Sequence, residues 1–407
     1  MRMTLSIAVA TALVAFSGAA SAAQPLLPAG GKDQVPSKLA ALPAPSMQVE
    51  RAPVAFSWKL DPAAAVYDAA PAVAESREYW QTVEGAELQR GVALKLSAPG
   101  SLIRISPAAD ARGLATDALK LQGARGPAKL ERLLDERQLK AAGMEVGTGT
   151  VMAKLAPEAG AGSFTLSASE ARGRYVVHVF EPASTDVLSA RIDRDRALAG
   201  GDIRLDVDFA RAGRKVAANG EALLVSPDGR SWPVRLASSG NGLGASVRLP
   251  KAATDAPGLW ELQVFTDADG IQRDARTAFS VAQPTARFGG QYDFDAAKLQ
   301  MALPVEAASA GRYEARGLLY ATAPDGTLRP VSQAHSAAWF ERGDGTLTLA
   351  FDRSHLPQGY GAPFEVRQLE LLDQSRLAPL EKRARAGRID GARRGVDTGG
   401  RGRLQAR

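Results

Sequence analysis

The chain has 407 residues, 45% hydrophobic, 23% charged and 6% aromatic, which at ~100 to 200 residues per domain is enough for two to four ordinary cores. It has no cysteine, which excludes disulfides, thiolate nucleophiles, cysteine-ligated zinc and a lipoprotein anchor; only three histidines remain for metal or triad chemistry. The formal charge of +6 sits at the end: residues 380–407 carry nine Lys or Arg against three acids, and the remainder balances at 41 against 41, so no basic folded face for reading nucleic acid is expected.

Arg2, the apolar run Leu5 to Phe16 and the small residues Ala20-Ser21-Ala22 predict a secretory signal peptide over residues 1–22. The apolar run is too short to span a bilayer, which takes about 20 residues, so the expected product is not membrane-spanning and is periplasmic or secreted. Residues 23–47 are rich in Pro (Pro25, Pro28, Pro36, Pro43, Pro45) and read as a flexible or extended leader.

Residues 48–182 are expected to form an N-terminal β domain. Val54, Phe56, Trp58 and Leu60 alternate with polar residues as a half-buried strand. Val92, Leu94 and Leu96 repeat the pattern, and Pro99-Gly100 predicts a turn into Leu102 to Ile105 as a hairpin partner. One short helix is expected in GPAKLERLLDERQLKAAG, with Pro127 in its first turn, Leu130, Leu133 and Leu134 at helical spacing, and Gly143 as its stop. Tyr175, Val177 and Val179 mark a further strand containing His178.

The segment 184–283 opens with the clearest alternation in the chain, Ile203, Leu205, Val207 and Phe209 against Asp202, Arg204, Asp206 and Asp208. Further strands follow at short intervals, and Asp269-Gly270 predicts a tight hairpin after GLWELQVF. PDGRSWPV at 227–234 recurs as PDGTLRPV at 324–331, an offset of 97 residues, each after a paired Leu. A repeat near 100 residues predicts two Ig-like β-sandwiches, 184–283 and 284–379, followed by a disordered basic tail at 380–407. The fold class is thus mainly β, in three tandem domains.

No motif for chemistry emerges. His178, His335 and His355 form no HxH or HExxH spacing, and no GxSxG occurs. Asp267-Ala268-Asp269-Gly270 lacks the outer ligands of a calcium loop, and Arg342-Gly343-Asp344 and GNGLG at 240–244 read as turns. Asp202, Asp206 and Asp208 read as a solvated strand face, and Trp260 as packing. No metal and no cofactor is expected. Trp58, Tyr79 and Trp80 are the ligand-binding candidates, weighed against a role in the core, because flat rings on a β domain suit saccharide binding.

The run SREYWQTVEGAELQRGVALKLSAPGSLIRISP, together with the export signal and the two later sandwiches, resembles an uncharacterised family of exported Gram-negative bacterial proteins over residues 48–380. The resemblance implies a front β domain followed by Ig-like domains and brings no active site. PGLWELQV is similar to the penultimate strand of macroglobulin-type and other Ig-like modules. The expected function is a non-catalytic array that binds an envelope or extracellular protein or polysaccharide, with no specific nucleic acid as partner. Two alternatives stand beside it: an accessory protein for polysaccharide or peptide degradation with a site in the N-terminal domain, and a structural periplasmic spacer.

Overall fold

Strands dominate the protein, as its alternating apolar pattern requires, and among the described residues they form six sheets. The computed structural model describes residues 23–45, 49–66, 70–108, 110–240, 242–251, 256 and 258–390. The expected signal peptide and residues 391–407 of the expected tail lie outside the described residues. Among the described residues no helix is long and apolar enough to cross a membrane. The chain divides into two compact units, one of residues 67–284 and one combining residues before 67 with those from 285 onward.

The 67–284 unit holds two sandwiches. In the first, Glu78–Glu84, Arg174–Phe180, Leu102–Pro107, Val151–Leu155 and Leu130–Leu134 form one sheet in that order, facing Val92–Leu96, Gly162–Ala168, Leu119–Gly123 and Gly126–Pro127. Leu94, Leu96, Ile103, Ile105, Leu166, Tyr175 and Val177 fill the space between, each from the inward phase of a period-2 strand. In the second, Asp202–Arg211 lies between Asp186–Ile192 and Gly242–Arg248, and Val73–Ser76 extends that sheet along Asp186–Ile192. Its core includes Leu205, Val207, Leu224, Leu262 and Trp260, whose ring stacks on Trp232 at 5.6 Å. Asp202, Asp206 and Asp208 point outward and pair with Arg248, Arg191 and Lys215, the solvated face expected of them.

In the other unit, Leu328–Phe340, Gly311–Thr322, Gly361–Asp373 and Ala378–Ile389 form a sheet whose order matches Ser231–Val234, Asn219–Val225, Trp260–Ala268 and Ile271–Ala282 of the preceding sandwich. The repeated Pro-Asp-Gly segments make the same turn in both. The Gly229 N–H bonds the Ser226 carbonyl and the Gly326 N–H bonds the Ala323 carbonyl, at 2.9 Å each, with φ of 82° and 81°. Pro and Asp supply a type I turn, and glycine takes the left-handed position closing it. A Cβ added at Gly326 meets nothing within 4 Å, so the backbone alone opposes substitution. Gly326→Ala is expected to cost about 1 to 2 kcal/mol in urea unfolding, and an unchanged midpoint would refute this account of the turn.

Five expectations need correction. Val54–Lys59 does not join the sheets of the first sandwich: it pairs with Leu328–Phe340, Phe56 opposite His335. Val92–Leu96 and Leu102–Pro107 are not a hairpin, because the first pairs with Gly162–Ala168 and the second with Arg174–Phe180 and Val151–Leu155. The Pro99-Gly100 turn carries the chain from one sheet to the other.

The one helix expected in GPAKLERLLDERQLKAAG resolves into the strand Leu130–Leu134 and the short helix Glu136–Ala141, and Gly85–Arg90 adds a second short helix. Asp135 accepts from the Gln138 N–H in a capping box, which places the helix start after the leucines rather than before them.

The leader is not free over its described part, since Gln24–Pro25 pairs with Gln291–Asp295 and Leu26 is buried. Proline is tolerated in an edge strand, where its missing N–H would face solvent. Finally, the expected tail begins too early. Ala378–Ile389 is a strand in which Glu381 holds Arg383 and Glu365 holds Arg385, so cations counted as a solvated tail are ladder residues with partners.

Candidate functional site

In Glu78–Glu84 the inward residues Tyr79 and Val83 enter the core, so Glu78, Trp80 and Thr82 stand on the opposite face. Register places Trp80 beside His178, and His178 beside Arg104, giving a row of three large polar or aromatic side chains across neighbouring strands. His178 Nε2 lies 2.8 Å from Glu78 Oε2. Glu78–Glu84 is an edge strand, and the second sandwich covers its free side. There the Trp80 N–H donates to Asp274 Oδ2 at 2.8 Å, which satisfies a donor that an edge strand would otherwise leave open.

Ala74, Glu75 and Ser76 from one strand and Asp274, Ala275 and Arg276 from another complete a cleft of ≈ 800 Å³. That volume lies in the range of small-ligand sites, roughly 300 to 1,000 Å³. The Arg276 guanidinium carbon sits 4.3 Å from the Trp80 ring centroid, and the Trp80 ring meets Phe265 edge-on at 5.8 Å.

Two carboxyl groups differ in character within this space. The hydrogen bond from His178 holds Glu78 below the usual carboxylate range. Asp274 is pushed up to about 7, chiefly by burial, against the pull of the Trp80 N–H and Arg276.

The two sandwiches bounding the cleft are tied by a buried ion pair. Arg273 Nη2 lies 2.7 Å from Glu181 Oε2, with both side chains fully buried. Arg273 also donates to Ser97 Oγ, Ser184 Oγ and the Asp186 carbonyl, while Glu181 accepts from the Ser97 and Ala98 N–H groups. Both ions are thereby engaged by further hydrogen bonds within protein, and Asp274 is held one residue from the anchor.

Of the three residues singled out in the sequence, Trp80 alone lines the cleft. Tyr79 is 2% exposed, a core residue whose hydroxyl burial pushes well above its usual range. Trp58 belongs to the other unit, 41% exposed, where its ring centroid lies 4.8 Å from that of His335 and 5.5 Å from that of Phe56. His335 bonds Glu314 and His355 bonds Ser332, so the two imidazoles have separate partners. Among the described residues no group of three or more His, Asp or Glu is placed to hold a metal ion. Sequence reasoning missed Glu78, Arg104, Asp274 and Arg276. Alternation around Tyr79 was enough to put Glu78 with Trp80, but the others depend on strand register and on how the sandwiches pack.

Two family models match: the N-terminal domain of a domain of unknown function (DUF4785) over residues 45–181 and the C-terminal domain of the same family over residues 285–389. A crystal structure of a DUF4785 family protein from Legionella pneumophila has 20% sequence identity and a TM-score of 0.66, covering 88% of this chain and 99% of that one. It shares the fold. Crystal structures of α-2-macroglobulin from Escherichia coli and Salmonella match at 15% and 12% identity, each with a TM-score of 0.22; they cover 73% and 79% of this chain but 22% and 24% of theirs. No curated protein matches.

Proposed function

The chain belongs to the DUF4785 family, and from the cleft beside its N-terminal sandwich we propose an exported, non-catalytic protein that captures an envelope or extracellular macromolecule. The observation carrying this reading is Trp80, a large ring held out of the core by strand alternation, framed by Glu78, His178, Arg104, Asp274 and Arg276. Aromatic and arginine side chains on a rigid frame supply much of the binding energy at protein recognition sites. The N-terminal Arg2, apolar run and Ala-Ser-Ala segment support export to the periplasm or medium.

The test is co-sedimentation of the purified protein with envelope and cell-wall fractions across a salt series, with mass spectrometry of what is captured. Trp80→Ala is expected to weaken capture about 30-fold or more, a hot-spot effect of at least about 2 kcal/mol, with an unchanged circular dichroism spectrum. Capture indifferent to Trp80 would defeat the assignment to this cleft. Turnover of an envelope polymer, abolished by Asp274→Asn, would replace binding with the degradative reading.

A further inference from the structure

We infer that the cleft recognises the carboxylate groups of an acidic polysaccharide, with the Arg104 and Arg276 guanidiniums as the groups that take them. The inference rests on the reading of the cleft as a capture site. Several arginines of the fold are committed to acids: Arg316 to Glu370, Arg367 and Arg385 to Glu365, and Arg273 to Glu181. Arg104 and Arg276 differ. Among the described residues neither guanidinium makes a hydrogen bond or an ion pair, although both line the cleft and both feel Glu78 at longer range.

Arg276 is positioned by the face of Trp80, a contact that orients a guanidinium without using its N–H donors. Those donors remain available for a carboxylate, which accepts two parallel N–H bonds from one arginine. The acids inside the cleft compete weakly for them. Glu78 is engaged by His178, and Asp274 accepts from the Trp80 N–H and is partly protonated near neutrality. Glu75 is the exception, exposed on the lining strand.

The rest of the lining separates a saccharide from a peptide. Ser76, Thr82, Glu78 and His178 offer donors and acceptors to a hydroxyl-rich chain. The aliphatic members are only Ala74, Val176 and Ala275, too small to build pockets for apolar peptide side chains.

The experiment is calorimetric titration of the purified full chain with four probes: oligogalacturonate, its methyl ester, polyglutamate and polyphosphate. Oligogalacturonate is expected to bind at least tenfold tighter than each of the others. Arg104→Met and Arg276→Met should each lose tenfold or more, and Arg276→Lys, which keeps the charge and loses the fork, should lose most of that. Equal binding of the methyl ester, tighter binding of polyglutamate or polyphosphate, no binding of oligogalacturonate, or arginine variants that bind like the parent would each overturn the inference. Envelope capture that is lost in Trp80→Ala but intact in both arginine variants would overturn it while leaving the capture reading standing. Capture that ignores Trp80 would remove that reading itself.

Discussion

Arg273→Met is expected to destabilise the 67–284 unit by about 3 to 5 kcal/mol, because it strands the fully buried Glu181 side chain without its partner. In a unit of this size each kcal/mol moves the midpoint by roughly 2 to 4 °C, so calorimetry should show a fall on the order of 10 °C. The reason lies in how the pair is built. Glu181 follows the last strand of the first sandwich, Arg273 sits in the last strand of the second, and each fills its other valences from its own surroundings. Glu181→Gln should cost less, since glutamine still accepts from the Ser97 and Ala98 N–H groups. The double variant Glu181→Gln with Arg273→Met should be less destabilised than the sum of the two, because neither partner is then stranded as a buried charge. Additive effects would show that the two ions do not depend on each other. Loss of the anchor should also reach the cleft, since Asp274 and Arg276 ride on the same strand.

Much of this architecture was legible in the sequence, and the boundary of legibility has a physical cause. Period-2 alternation identifies strands such as Asp202–Arg211, and Asp269-Gly270 identifies the hairpin of Trp260–Ala268 with Ile271–Ala282, because both signals are local. The Pro-Asp-Gly repeat revealed two related sandwiches for the same reason, since a left-handed glycine after Pro-Asp specifies one turn wherever it occurs. Partner choice is not local. Nothing in Val54–Lys59 says that it pairs with residues nearly 280 positions later, and nothing around Pro99-Gly100 says that the chain changes sheets there.

Residues 380–389, most of the strand Ala378–Ile389, read as tail when charge is counted without its partners. Glu365 and Glu381 are what make Arg383 and Arg385 compatible with a folded ladder. The cleft shows the same division. Alternation separates Trp80 from Tyr79, but the meeting of Glu78, His178, Arg104, Asp274 and Arg276 needs strand register and the packing of two sandwiches.

Asp274→Asn is expected to raise stability at pH 8 while leaving it nearly unchanged at pH 4. In the folded chain the Asp274 carboxyl titrates at about 7, against an ordinary value of 3.8. Between those values the native state holds a proton that the unfolded chain has released, so wild-type stability falls as pH rises from about 4 to about 7 and levels off above. A gap of this size corresponds to as much as about 4 kcal/mol at one pKa unit per 1.36 kcal/mol, an upper bound for a group that keeps a hydrogen bond and nearby arginines. Asparagine retains an acceptor for the Trp80 N–H and never ionises, so the cost disappears at every pH. The groups acting on this carboxyl are Glu78, which raises it, and Arg276 and Arg273, which lower it; Tyr79 feels its charge in turn. Urea unfolding of both proteins from pH 4 to 8 isolates the effect, since other titrating groups cancel in the difference. A difference that stays flat across that range would show that Asp274 is ionised throughout. The same proton bears on the ligand: protonation removes a negative charge beside Arg276, so binding of oligogalacturonate should tighten from pH 8 to pH 6 in the wild type, and this part of its pH dependence should vanish in Asp274→Asn.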